Sequence, residues 1–128
     1  MQNKSYNEYL TTSTRAAVLD SAIITETDLQ GKITYVNDNF VKATGFSKRE
    51  IIGNTHKIIN SGYHSKEFFK DMWDTISSGK VWRGVIREIS KDGDYVWFDS
   101  IIAPVLGKDG KQISYISIRF DITPYMGN

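Results

Sequence analysis

Residues 81–106 read VWRGVIREISKDGDYVWFDSIIAPVL. Two runs rich in β-branched and aromatic residues flank Asp92-Gly93, a pair suited to the positive backbone angles of a tight hairpin. The stretch is therefore two long antiparallel strands, Val81–Ser90 and Tyr95–Leu106. Downstream, Gly107-Lys108-Asp109-Gly110-Lys111 makes a second turn, and Ile113–Thr123 a third strand. Upstream, Phe68, Phe69, Met72, Trp73 and Ile76 form one apolar stripe at helical spacing over Ser65–Ser78. Ser65 can cap that helix and Gly79 can stop it. Further upstream, Ala22–Thr27 and Ile33–Val36 read as short strands around the turn Asp28–Lys32. Between them and the long helix, residues 37–53 are irregular and helical, and Ser47 with Glu50 makes a capping box. Two strands, several helices and three more strands give an α+β fold, one antiparallel sheet with helices packed on one face.

The chain has 128 residues, enough for a single domain with one core. A net charge of +1 gives no electrostatic reason to expect nucleic acid or an anionic membrane as partner. The absence of cysteine removes disulfides, thiolate metal sites, iron–sulfur clusters and thiol nucleophiles. No apolar stretch approaches the ~20 residues that span a bilayer. The first residues lack the apolar segment of a secretory signal, so a cytoplasmic address is expected. Residues 1–20 are read as a helical flank, whose Tyr6, Tyr9 and Leu10 suit dimerisation. The domain proper is expected over residues 21–123, with an exit linker over 124–128.

Catalysis finds no foothold. There is no carboxylate pair, no Ser–His–Asp set and no phosphate-cradling loop. Gly107-Lys108-Asp109-Gly110 is a hairpin turn, because no serine or threonine follows its lysine as a phosphate loop requires. Asp99, Arg119 and Asp121 are separated charges on strands. His56 and His64, without cysteine, are weak evidence for metal, and no metal ligand is assigned.

The run Thr27-Asp28-Leu29-Gln30-Gly31-Lys32-Ile33-Thr34-Tyr35-Val36-Asn37 resembles the opening hairpin of PAS domains. Asn39-Phe40, Thr44-Gly45-Phe46-Ser47, Glu50, Gly53, Asp92-Gly93 and Asp121-Ile122-Thr123 continue the pattern in order. The resemblance implies a five-stranded antiparallel sheet of order 2-1-5-4-3 enclosing a pocket beneath the helices. It implies a sensory module without turnover, excised from a longer signalling chain that carries a chemotaxis module or a histidine kinase.

A narrower set is similar to the FAD-binding PAS domains of aerotaxis receptors and of the redox regulator of nitrogen fixation. It comprises His56, Asn60, Phe68-Phe69-Lys70-Asp71-Met72-Trp73 and Gly79-Lys80-Val81-Trp82-Arg83-Gly84. In that subgroup the Trp73 position lies beside the isoalloxazine ring. The Asn37 and Phe69 positions support the flavin, and the Thr25 and His56 positions reach its edge. Glu88 departs from the pattern, which has asparagine there. If Gly84 and Ile86 face the pocket, Glu88 does too.

Each residue also has a plainer reading. Trp73 is core aromatic, Thr25 serves β propensity, Asn37 caps a turn, and Glu88 meets a surface lysine. Three functions follow: a flavin redox or oxygen sensor, a cofactor-free dimerisation module, or a haem gas sensor with His64 as first axial candidate. A cysteinyl photo-adduct sensor is excluded by the missing thiol, although light could still reduce a bound flavin through a nearby tryptophan or tyrosine.

Overall fold

The computed structural model describes Ala17 and residues 20–127. The helical flank expected over residues 1–20, and the dimer contact assigned to Tyr6, Tyr9 and Leu10, fall almost wholly outside the described residues. Strands β1 (Ile23–Thr27) and β2 (Ile33–Val36) open the fold. Helices α1 (Asp38–Thr44) and α2 (Lys48–Ile51), a 3-10 turn at His56–Ile59 and helix α3 (Lys66–Ser77) follow. Strands β3 (Trp82–Ile89), β4 (Tyr95–Leu106) and β5 (Gln112–Asp121) complete a five-stranded antiparallel sheet, order β2-β1-β5-β4-β3.

Local chemistry sets the helix ends. Ser47 and Glu50 form the reciprocal capping box, and Ser65 accepts from the Phe68 N–H at the start of α3. Glu50 also meets Lys91 at 2.7 Å, and the Lys91 N–H donates to the Thr44 carbonyl at 2.8 Å. The β3–β4 hairpin is thereby docked on the helical segment.

Register decides which side chains meet the helices. Thr25 pairs with Ser117, Ser117 with Ile102, and Ile102 with Trp82; one row on, Ile23, Arg119, Ser100 and Gly84 align. Directly paired residues share a face, and so do i and i+2 on one strand. All sheet residues in the two apolar clusters lie on this inner face. One cluster holds Ile23, Val96 and Phe98 against Phe40, Ile51 and Ile59; the other holds Trp82, Ile86, Ile102 and Tyr115 against Met72 and Ile76. The helices therefore cover one face. Between the clusters lies a buried polar layer: Thr25, Glu88, Ser100, Ser117 and Arg119.

At the end of β5 the chain is clasped to β4. The Ile122 N–H donates to the Trp97 carbonyl at 2.9 Å, and the Trp97 N–H donates to Thr123 Oγ1 at 2.9 Å. Thr123-Pro124-Tyr125 then forms a short 3-10 turn.

Candidate functional site

A cavity of about 430 Å³ lies between α3, the His56–Ile59 turn and the inner face of the sheet. That size falls in the ~300–1,000 Å³ range of small-molecule sites. Helix α3 contributes Phe69, Met72, Trp73 and Ile76, which share a helical face because they are spaced by three and four. Ile86, Ile102 and Tyr115 supply the facing apolar wall from the strands.

Trp73 sits at the rim, 38% exposed, with its ring edge-to-face against Tyr115 at 5.7 Å. Its other neighbour is the β1–β2 turn. Gly31 has φ +89°, and a Cβ there would lie 3.1 Å from Trp73 Cη2. Glycine suits this position twice, for the left-handed turn and for the indole's close approach.

The polar part of the wall is built around Arg119, which is 2% exposed. Its Nη1 donates to Thr25 Oγ1 at 3.0 Å and its Nη2 lies 2.7 Å from His56 Nε2. Its Nε is buried with no partner among the described residues. Thr25 Oγ1 is also 3.1 Å from His56 Nε2. Burial, then the Arg119 charge, holds His56 down at about 3, so the ring is neutral at ordinary pH. Arg119 is itself drawn down by burial to about 10, against the pull of Glu88, and remains charged at neutral pH.

Glu88 is 6% exposed and lines the cavity. Burial lifts its carboxyl to about 7, and the Arg119 charge opposes that rise. Its carboxylate takes no hydrogen bond among the described residues. The strand alternation through Ile86 and Glu88 runs as read from sequence, and a surface-lysine pairing is excluded. Gly84 shares their face but is covered by Trp82, whose ring atoms would lie 2.5 Å from a Cβ there.

The residues named from sequence separate into three groups. His56, Asn60, Phe69, Trp73 and Glu88 line one cavity. Thr25 stands behind the wall, holding Arg119 and His56. Asn37 does not line the cavity. Its Oδ1 accepts from the Ile24 and Phe40 N–H groups, and its Nδ2 donates to the Ala22 carbonyl, so it caps α1 and ties it to β1. Asn60 Oδ1 accepts from the Gly62 N–H, and the Asn60 main chain bridges to Glu88.

His64 also lies off the cavity. Its Nε2 accepts the Arg87 N–H at 2.9 Å, and its ring stacks on Phe68 at 4.0 Å. The haem reading therefore loses its first axial candidate. Among the described residues no cluster of three or more His, Cys, Asp or Glu side chains is arranged to hold a metal ion. The sequence reading gives Arg119 no role in the site, only that of a separated charge on a strand. The available signal was its period-two alignment with Tyr115 and Ser117, which puts a cation on the face that carries the core.

Comparison with known proteins agrees with this geometry. The family model described as "PAS domain" matches residues 20–124. The chain is 33% identical to the aerotaxis receptor of Escherichia coli (strain K12), over 90% of this chain and 22% of the receptor. It is 30% identical to the nitrogen fixation regulatory protein of Klebsiella pneumoniae, over 80% of this chain and 21% of that protein. The chain thus spans about a fifth of the length of these relatives. Among solved structures, the PAS domain of a protein from Colwellia psychrerythraea superposes with a TM-score of 0.76 at 27% identity, covering 89% of this chain and 98% of that one. No helix among the described residues is long and apolar enough to cross a membrane. The sheet order, the helix-covered cavity and the match across residues 20–124 lead to one conclusion: the chain belongs to the PAS domain family, the sensory modules of signalling proteins.

Proposed function

We propose that the cavity binds a flavin, in the form of FAD, and that the domain is a non-catalytic redox or oxygen sensor. The observation that carries this reading is the pairing of a flat indole at the rim with polar side chains on the wall, His56 and the unengaged Glu88 carboxyl. A planar, mostly apolar ring with a polar edge matches both. Trp73 offers a stacking surface. The His56 ring and the Glu88 carboxyl offer polar groups to the edge. Asn60 and Phe69 complete the set on the helical side. The similarity to an aerotaxis receptor and a nitrogen fixation regulator supports a redox or oxygen signal. When bound, a flavin supplies reversible electron uptake. The chain's own residues hold its edge and respond to charge there by shifting hydrogen bonds, a local event that biases a two-state element.

On this reading the domain works in the cytoplasm as a homodimer. It relays its state through the clasp at Trp97 and Thr123 to an effector, a chemotaxis module or histidine kinase in a longer parent. The deciding experiment is the visible spectrum of the purified protein, with mass spectrometry of the heat-released ligand. Flavin bands and the mass of FAD are expected. A colourless protein that takes up no added flavin would favour the cofactor-free dimerisation module, and a Soret band the haem sensor.

A further inference from the structure

The geometry points to Arg119 as a positioning residue that makes His56 a hydrogen-bond donor to the ligand. The argument begins with what a guanidinium can do. Arginine carries donors and no acceptor. Its Nη2 lies 2.7 Å from His56 Nε2, so that nitrogen must present its lone pair. Thr25 Oγ1 accepts from Arg119 Nη1, which leaves its own hydrogen free to point at the same imidazole nitrogen, 3.1 Å away. Two groups thus address Nε2 as an acceptor. In a neutral imidazole the proton then resides on Nδ1. No protein partner takes that N–H among the described residues, and the ring lines the cavity.

The consequence is selective. This inference rests on the flavin reading and adds which kind of ligand atom His56 meets: an acceptor, a carbonyl oxygen or an imine nitrogen, rather than an N–H. Without Arg119 the ring is free to take either tautomer, and half of that discrimination disappears. Thr25 alone cannot hold the tautomer, because its hydroxyl donates or accepts equally well.

The test uses nitrogen NMR of isotope-labelled histidine, which distinguishes the two neutral tautomers directly. The wild-type domain should show His56 as a single Nδ1–H tautomer from about pH 5 to about pH 8. Arg119→Lys, which keeps a donor, should retain that signature. Arg119→Met should give a tautomer mixture and bind added FAD about tenfold more weakly, with Arg119→Lys recovering most of the affinity. An Nε2–H tautomer in the wild type overturns the assignment whether or not flavin binds. A changed tautomer with unchanged FAD affinity overturns the recognition role. Should the wild type take up no flavin, the flavin reading fails, while the tautomer spectrum still decides what Arg119 does.

Discussion

Trp73 Cη2 lies 3.1 Å from the position a Cβ on Gly31 would take, closer than ordinary contact. A methyl on residue 31 would press on the indole, and one of the two would have to give slightly. Gly31→Ala should lose about 1–2 kcal/mol from the positive φ alone. It should also displace the indole outward. Urea unfolding measures the first effect and tryptophan emission the second. Wild-type stability with unchanged emission would show that the turn and the helix are not in this contact.

Trp73 itself separates stacking from ordinary packing. Trp73→Ala should weaken flavin binding by about 1 kcal/mol or more and brighten the emission of any flavin that remains, since the indole quenches it. Trp73→Phe should keep part of the affinity. Full occupancy and unchanged emission in the alanine variant would make Trp73 a rim residue with no role at the ligand.

Glu88 and His56 set opposing pH dependences. Folded Glu88 keeps its proton up to about 7, whereas the unfolded chain releases it near 4.5. Stability from this group is complete below pH 4.5 and is lost as pH rises to about 7. Folded His56 stays neutral down to about 3, whereas the unfolded ring takes a proton below 6.5. Its contribution is complete above pH 6.5 and is lost as pH falls to about 3. Between 4.5 and 6.5 the two slopes cancel. Glu88→Gln should unmask the histidine, so that its stability climbs with pH by up to roughly 3 kcal/mol across that window while the wild type stays flat. Unfolding midpoints at stepped pH give the answer, and parallel profiles for the two proteins would refute the buried carboxyl.

Gly84 tests the sheet floor beside Ser100, its partner across the β3–β4 ladder. Its backbone angles are ordinary, so the cost of Gly84→Ala comes from Trp82, whose ring atoms would lie 2.5 and 2.6 Å from the new methyl. The indole must move, and overpacking of this kind costs about 1–3 kcal/mol. Thermal unfolding should reveal it. A stability equal to wild type would mean that the Trp82 ring relaxes freely.

The strands and the long helix were legible because their signals are local, whereas the strand order came only with the resemblance to PAS domains. Asp92-Gly93 names its own turn, Ser65 and Gly79 bracket α3, and the stripe from Phe69 to Ile76 shows which face is buried. Alternation put Glu88 on one face with Ile86 but left open whether that face met the helices or solvent; the packing of β3 decides it. Arg119 was not legible, because its meaning depends on a pairing distant in sequence. Only the register of β5 beside β1 puts its guanidinium next to Thr25, and only the 3-10 turn brings His56 to the same place. Asn37 carried two readings, and its neighbours decide between them: three main-chain groups engage its amide, which leaves it at the helix cap and off the cavity wall.

The clasp at Trp97 has a mechanical consequence. Among the described residues, two hydrogen bonds on Trp97 of β4 and one from the Thr123 N–H to Asp121 Oδ1 fasten residues 122 and 123 to the sheet, whereas β5 is stitched to β4 from Phe98 to Leu106. A force applied beyond Tyr125 would meet these few bonds first and the ladder second. In an optical trap pulling from that end, a small early extension should precede rupture of the domain, and Thr123→Val should lower the force of the first step while leaving the second where it was. Torque or tension from a neighbouring segment could then be transmitted, or released, without unfolding the sheet that encloses the cavity.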